Sequence, residues 1–457
     1  MKHTHRQWLW LIAVSGAVAC KSKGPDDSGI DATPVAPWPE WAFSHWVWED
    51  ESTEESLWEM VDGYEAAGIP VGAVIIDSPW ETGYNTLEWD TELFPDPEGM
   101  IEELHDREIR VFMWITAAIN TDEEELYAEA ADAGYFMQED AESGPGVVSW
   151  WKGDGSLIDY FNPEAVEWWH GLLDPVLDMG IDGWKCDGLD YSQIFVPYSP
   201  GAGKDVDRLD YSHAYYQDFF DYTRERLGDD RIITARPIDN YGSDISGDLV
   251  AFAPVEITWA GWVGDQDPGF DGLKAALLNM YYSADYGYLA FGSDIGGYRE
   301  DESLELGREV EPFIRWAQVG AFCPIMENGG SGEHWPWKFG DETTSIYKVF
   351  VDLHEAIRPY LMEQGAVAFE EGKSLMTFQS KETFAYLLGE DLFVAPIVQE
   401  DGVVSVTFPD EGDWVYLFDE TLSYEAGSQA DLTIPLDEFS VFVRSGSDLA
   451  QTLLEGD

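Results

Sequence analysis

Between Trp41 and Gly330 the chain alternates eight times between a short apolar run and a longer amphipathic stretch. The runs are WAFSHWVW (41–48), VGAVIIDSPW (71–80), IRVFMWITA (109–117), IDGWKCDG (181–188), RIITARP (231–237), APVEITW (253–259), GYLAFGSDIGG (287–297) and AFCPIMENGG (321–330). Helix-like segments lie between them, among them 53–67, 98–107, 123–134, 163–178, 270–284, 303–317 and 342–358. Near-continuous apolar runs separated by helices are the pattern of parallel strands covered on both faces. Eight such units predict a (β/α)8 barrel, which takes roughly 250 residues or more. The rival is a doubly wound open sheet, but no GxGxxG follows the first run and nothing resembles a phosphate loop. The stretch 137–160 is read as a long irregular loop holding the pair Trp150-Trp151, either a sugar platform or lid, or a pin fixing the loop to the barrel.

After HEAIRPYL (354–361) the period changes to short alternating runs separated by turn residues, which predicts a small all-β sandwich. The expected organisation is a barrel over 39–361 and a C-terminal sandwich over 362–457.

Residues 1–20, MKHTHRQWLWLIAVSGAVAC, combine a basic start with an apolar stretch too short to span a bilayer. The Ala-Val-Ala-Cys end is similar to a bacterial lipobox, with Ala17 where Leu is usual, and makes Cys20 the expected lipid attachment site. The alternative is an ordinary secretory signal. Residues 21–38 are rich in polar residues, Gly and Pro and read as a flexible tether. An exported, membrane-anchored lipoprotein of the cell envelope is expected, or a secreted protein if the Cys is incidental.

The 457 residues carry 90 Asp+Glu against 24 Lys+Arg, a formal charge of −66. Such a surface excludes nucleic acid as a partner, since phosphate binding needs basic patches. It suits solubility or a saline habitat, where counterions screen self-repulsion. Cys186 and Cys323 sit in apolar runs and read as buried free thiols. No CxxC, HExxH or His cluster suggests zinc, and DVDRLD (205–210) lacks the Gly and terminal Glu of a calcium loop. No metal or cofactor is expected.

Barrel chemistry sits at the C-terminal ends of strands. Asp77, Asp187 and Asp294 end apolar runs, and Asp265 follows in WAGWVGDQD. Buried carboxylates are costly unless paired, so a ring of four at one barrel mouth points to function. Two carboxylates facing one substrate are the equipment of glycoside hydrolysis. Lys185 and Arg236 are the cations that keep one of them ionised. Trp80, Trp114, Trp184 and Trp262 lie near strand ends, for sugar stacking or for packing. The expected partner is a carbohydrate.

These blocks, in this order, resemble glycoside hydrolase family 31, the retaining α-glycosidases. GIPVGAVIIDSPW, GIDGWKCDGLD, TARP, WVGD and FGSDIGGY are similar to its barrel blocks, and GEDLFVAPI and VFVRSGS to its downstream β-domain. The resemblance implies Asp187 as nucleophile and Asp265 as acid/base. It implies Asp77, Trp114, Lys185, Arg236, Trp262 and Asp294 around the sugar, Asp294 as ligand or as support, and Trp80 is expected to join them as a strand-end tryptophan. It implies hydrolysis of α-glycosidic bonds in oligo- or polysaccharides. Three departures stand out. The family's β-sandwich ahead of the barrel has only signal and tether in its place, which implies a more open pocket. The usual Arg-x-His-Gly after the eighth strand is replaced by MENGGSGEHWPW, leaving Glu327, Asn328 or His334 to substitute for the sugar-binding His. The later Glu of the nucleophile motif is Asp190. Transglycosylation by the same residues, and a non-catalytic glycan-binding lipoprotein on this barrel, are the alternatives.

Overall fold

The computed structural model describes residues 34–188, 194–238 and 253–455. The expected signal, Cys20, most of the tether and Asp190 lie outside the described residues. Eight short strands run parallel: β1 (His45–Glu49), β2 (Ala73–Ile76), β3 (Arg110–Ile115), β4 (Gly183–Cys186), β5 (Ile232–Ala235), β6 (Ala260–Val263), β7 (Phe291–Ser293) and β8 (Met326–Asn328). Their order is β7-β6-β5-β4-β3-β2-β1-β8. A parallel bridge between Asp294 and Glu327 joins the two ends, closing the predicted barrel and placing two carboxyls at the closure.

The covering helices are α1 (Glu54–Ala67), α2 (Pro97–Asp106), α3 (Glu124–Ala133), α4 (Pro163–Leu177), α5 (Arg208–Leu227), α6 (Phe270–Tyr286), α7 (Val310–Ala321) and α8 (Asp341–Glu370). Their starts follow from local chemistry. Thr53, Asp96, Asn162 and Asp207 each accept a hydrogen bond from a first-turn N–H, worth about 1 kcal/mol apiece. Asp207, in the DVDRLD segment, is therefore the cap of α5.

Three expectations about elements need correction. The sixth strand is Ala-Gly-Trp-Val at 260–263, and 253–259 is a turn in which the Ile257 and Thr258 N–H groups donate to the Pro254 carbonyl. The apolar run there reports outer packing, since Trp259 meets Phe220 and Trp38. The helix expected from 303 starts at Val310, because 301–307 closes a loop through Asp301 N to Gly307 O. The stretch 137–160 is not irregular. Val147–Trp150 and Gly153–Leu157 form a hairpin that pairs with Ala118–Asn120.

Helix α8 runs on past Leu361 to Glu370. Beyond it, six antiparallel strands between Met376 and Arg444 form one sheet, and Val403–Thr407 pairs with Gln429–Thr433 in a second. Phe393, Phe408, Trp414 and Phe442 fill the space between. The sandwich docks on α7, where buried Arg315 donates to the Ile434 and Glu438 carbonyls and Gln318 to that of Leu436. Cys186 and Cys323 are buried free thiols. Among the described residues no helix is long and apolar enough to cross a membrane.

Candidate active site

A cavity of about 640 Å³ opens at the C-terminal ends of the strands. Its lining includes five carboxylates (Asp50, Asp77, Asp187, Asp265 and Asp294) and four cations (Lys152, Lys185, Arg236 and Arg299). All four sequence-expected aspartates are thus brought together.

Asp187 follows β4 and is held on both oxygens. Arg236 Nε donates to Oδ1 at 3.0 Å, the Gly188 N–H to the same oxygen at 2.9 Å, and Trp114 Nε1 to Oδ2 at 3.1 Å. Burial pushes its carboxyl up, but the Arg236 and Lys185 charges and these bonds outweigh it and hold the group below its ordinary range. Asp187 is therefore an ionised, oriented carboxylate.

Arg236, at the end of β5, also reaches Asp265, with Nη2 to Oδ1 at 2.6 Å. One planar guanidinium thus ties two carboxylates from different strand ends together. Asp265 sits in the left-handed backbone region (φ 62°), a strained conformation for a residue with a side chain and one common at functional sites. Trp262, three residues earlier in β6, lies under both cations, 4.8 Å from the Arg236 guanidinium and 5.1 Å from Lys185 Nζ.

Asp77, ending β2, receives Lys185 Nζ on Oδ2 and the Ser78 N–H on Oδ1, both at 2.8 Å. Burial raises the Asp77 carboxyl, and the pairing with Lys185 only partly offsets this. For Lys185, burial works to lower the ammonium, but Asp77, Glu327 and Asp294 raise it more, so it stays charged.

The remaining expectations fare differently. Asp294 lines the cavity, with its carboxyl raised well above the usual range by burial and by neighbouring Glu327. Trp80 does not face the cavity. It is fully buried, and its Nε1 donates to the Trp114 carbonyl at 2.9 Å, so it supports the strand that presents Trp114. His334 is also outside. It lines a separate cavity of about 90 Å³ and takes a hydrogen bond from Arg308. Burial, then the Arg308 charge, hold it well below the usual imidazole range, neutral. Asn328 donates to Tyr64 and to the His334 carbonyl.

Several cavity residues escaped the sequence reading. Trp48, at the end of β1, stacks beneath Lys185, with Nζ 3.6 Å from the ring centroid. It also explains why no side chain stands at 329. A Cβ on Gly329 would come within 2.3 Å of Trp48 Cδ1, so the indole fills that room. Tyr298 and Ser331 both donate to Asp50. Glu327, one of the substitutes the sequence offered for the sugar-binding His, is 1% exposed beside this indole, and the Trp48 side chain and the Lys185 charge only partly offset its burial. Burial pushes it up to about 7.

The comparisons with known proteins bear on the family. Residues 35–364 match the description "Glycosyl hydrolases family 31 TIM-barrel domain", and residues 361–448 match "Glycosyl hydrolase family 31 C-terminal domain". The alpha-xylosidase XylQ of Lactiplantibacillus pentosus is 26% identical over 437 residues, covering 89% of this chain and 54% of that protein. The Emericella nidulans alpha-xylosidase is 24% identical over 440 residues, covering 90% and 53%. The chain thus spans about half the length of the curated relatives it matches. Two solved structures share the fold. The dextranase of Flavobacterium johnsoniae, complexed with glucose, has a TM-score of 0.76 at 22% identity, covering 91% of this chain and 53% of its own. The cycloalternan-degrading enzyme of Trueperella pyogenes, solved with a covalent intermediate, has a TM-score of 0.78 at 22% identity, covering 91% and 62%. With a family match across the whole barrel and a second across the sandwich, the chain belongs to glycoside hydrolase family 31.

Proposed function

We propose that this chain hydrolyses α-glycosidic bonds of a neutral oligo- or polysaccharide with retention of configuration. The observation that carries the reading is the shared guanidinium, Arg236, between Asp187 and Asp265 at the mouth of a family 31 barrel. Asp187, held ionised, attacks the anomeric carbon, while Asp265 gives its proton to the departing glycosidic oxygen. The carbon–oxygen bond to the leaving sugar breaks as the ester to Asp187 forms. Asp265, having given up its proton, then takes one from the water that opens the ester. Asp77 and Lys185 sit where they meet sugar hydroxyls, and Trp114 and Trp262 supply walls. The curated relatives named as alpha-xylosidases and alpha-glucosidases support the α-linked class. The near-balance of lining charges favours neutral sugars over sulfated or uronic ones.

The test is turnover of a panel of p-nitrophenyl α-glycosides by wild type, Asp187→Ala and Asp265→Ala. Turnover of at least one glycoside, abolished in Asp187→Ala, supports the proposal. A 5-fluoro-α-glycosyl fluoride should add one glycosyl mass to the peptide holding Asp187, and label elsewhere overturns the assignment. Residues 1–20 support export with lipidation at Cys20. Metabolic labelling with an alkynyl fatty acid, lost in Cys20→Ser, tests it.

A further inference from the structure

The mouth of the cavity carries a feature that the bond-cleaving residues do not use. Trp151 is 48% exposed and lines the cavity, and it is the one exposed tryptophan among the described residues. It stands at the tip of the hairpin Val147–Trp150/Gly153–Leu157, in the two-residue turn between the paired Trp150 and Gly153. An isolated hairpin tip is ordinarily loose, but this one is fixed. Buried Asn120 accepts from Trp150 Nε1 at 2.7 Å and donates to the Lys152 carbonyl at 2.9 Å. Trp150 lies parallel to Trp114, 6.4 Å between centroids and 10° between planes, and Trp114 is itself bonded to Asp187.

Trp151 meets Trp150 edge to face at 5.1 Å and 73°, and its Cη2 passes over Gly188, the residue after Asp187. A Cβ there would sit 3.2 Å from that atom and 2.9 Å from Thr116 Cγ2, on a backbone with φ +93°. The two tryptophans therefore divide the work. Trp150 pins the hairpin to the barrel, and Trp151 presents a flat face at the rim beside Asp187.

We propose that Trp151 is the stacking platform for the leaving sugar, and so sets the preference for a pyranose over other leaving groups. A pyranose presents a face of C–H hydrogens that packs flat on an indole, whose π face is negative. Because Asn120 and Trp150 have already ordered the indole, little freedom is lost on binding. This inference rests on the glycosidase reading and adds to it a second sugar ring on the outward side.

The experiment compares two leaving groups with the same glycone. Fluoride has no ring to stack; glucose in maltose, isomaltose or isoprimeverose has. Trp151→Ala is expected to lower kcat/KM at least tenfold on whichever disaccharide wild type cleaves, chiefly through KM. On the matching α-glucosyl or α-xylosyl fluoride the loss should stay under threefold. Trp151→Phe should recover most of the difference. Equal losses on both substrates, or no loss on either, overturn the proposal. Failure of the glycosidase reading shows separately, as a wild type silent on fluorides and disaccharides alike. Tryptophan fluorescence titration with maltotriose, isomaltotriose and isoprimeverose then decides. Saturable quenching lost in Trp151→Ala supports the platform, and its absence from wild type overturns it.

Discussion

The two sides of the barrel mouth treat buried charge in opposite ways. On the β2–β6 side each carboxylate meets a cation: Asp77 has Lys185, and Asp187 and Asp265 share Arg236. On the closing side, where β7 meets β8, no salt bridge reaches Glu327 or Asp294 among the described residues, and Glu327 has the Trp48 indole beside it in place of a cation. Both sides are buried, so the difference is pairing. Asp187, held by a cation and three hydrogen bonds, stays ionised in a dry site, whereas a carboxyl without a cation bound to it answers burial by keeping its proton. Asp187 is held down and Glu327 is pushed up to about 7. The Arg236 side thus holds Asp187 charged for reaction, and the closing side keeps its protons to a higher pH.

The largest effect should come from breaking the paired side at its centre. Asp187→Ala removes the proposed nucleophile, and losses of roughly 10⁴-fold or more in kcat are typical of such residues. Kinetics against the best glycoside of the panel measures it. A drop below tenfold would remove Asp187 from the role.

Next comes the bridge. Arg236→Ala takes the guanidinium from both carboxylates and leaves Asp187 only the Lys185 charge, and breaking such a buried pair costs about 3–5 kcal/mol. Arg236→Lys keeps a charge, but a point ammonium cannot reach two carboxylates in one plane. It is expected to recover part of the stability and little of the kcat. Urea unfolding beside kinetics reads both. Full recovery of kcat by Lys would show that charge alone, without the fork, suffices.

The closing side should respond with the opposite sign. Glu327 has its carboxyl raised from 4.5 to about 7 in the folded chain. The folded state therefore holds the proton more tightly than the unfolded one. Its stabilising contribution is complete below pH 4.5 and is lost as pH rises to about 7, to the extent of order 3 kcal/mol. Glu327→Gln keeps the shape and removes the titration. Its unfolding free energy should match wild type near pH 4, exceed it at pH 8, and vary less in between. Removing a paired charge destabilises; removing this unpaired one stabilises above its pKa. An equal difference at both pH values would show that Glu327 is ionised throughout.

The same contrast governs what could be read from the sequence. The barrel was legible because strands covered on both faces write apolar runs, Asp77, Asp187 and Asp294 because each ends such a run, and Asp265 from its WVGD block. The sixth strand was not, because Ala-Gly-Trp-Val is short and small while the neighbouring Ile257 and Trp259 are apolar for outer packing. The unpaired side was harder for a different reason. Trp48 reads as one more core residue of β1, and its role depends on Gly329 across the β1–β8 pairing, where Val47 lies opposite Asn328. Nothing local in either segment records that an indole takes the space of a missing side chain. His334 attracted attention only as a histidine close by in sequence, yet Arg308 and burial fix it in a cavity of its own. Glu327 was visible as an alternative, but its lack of a salt bridge is a fact of three dimensions.

The smallest expected effect tests whether packing or charge holds the paired side in place. Trp80 touches none of the ionic groups; its one hydrogen bond runs to the Trp114 carbonyl. Trp80→Phe removes that donor and part of the fully buried indole. An unsatisfied buried carbonyl costs about 1–3 kcal/mol, with a further small term for the lost volume. If Trp114 is positioned chiefly by its bond to Asp187, kcat should fall no more than about threefold while the urea midpoint drops. If Trp80 positions it instead, kcat falls as stability does, and the order of the cavity comes from the apolar layer beneath the charges.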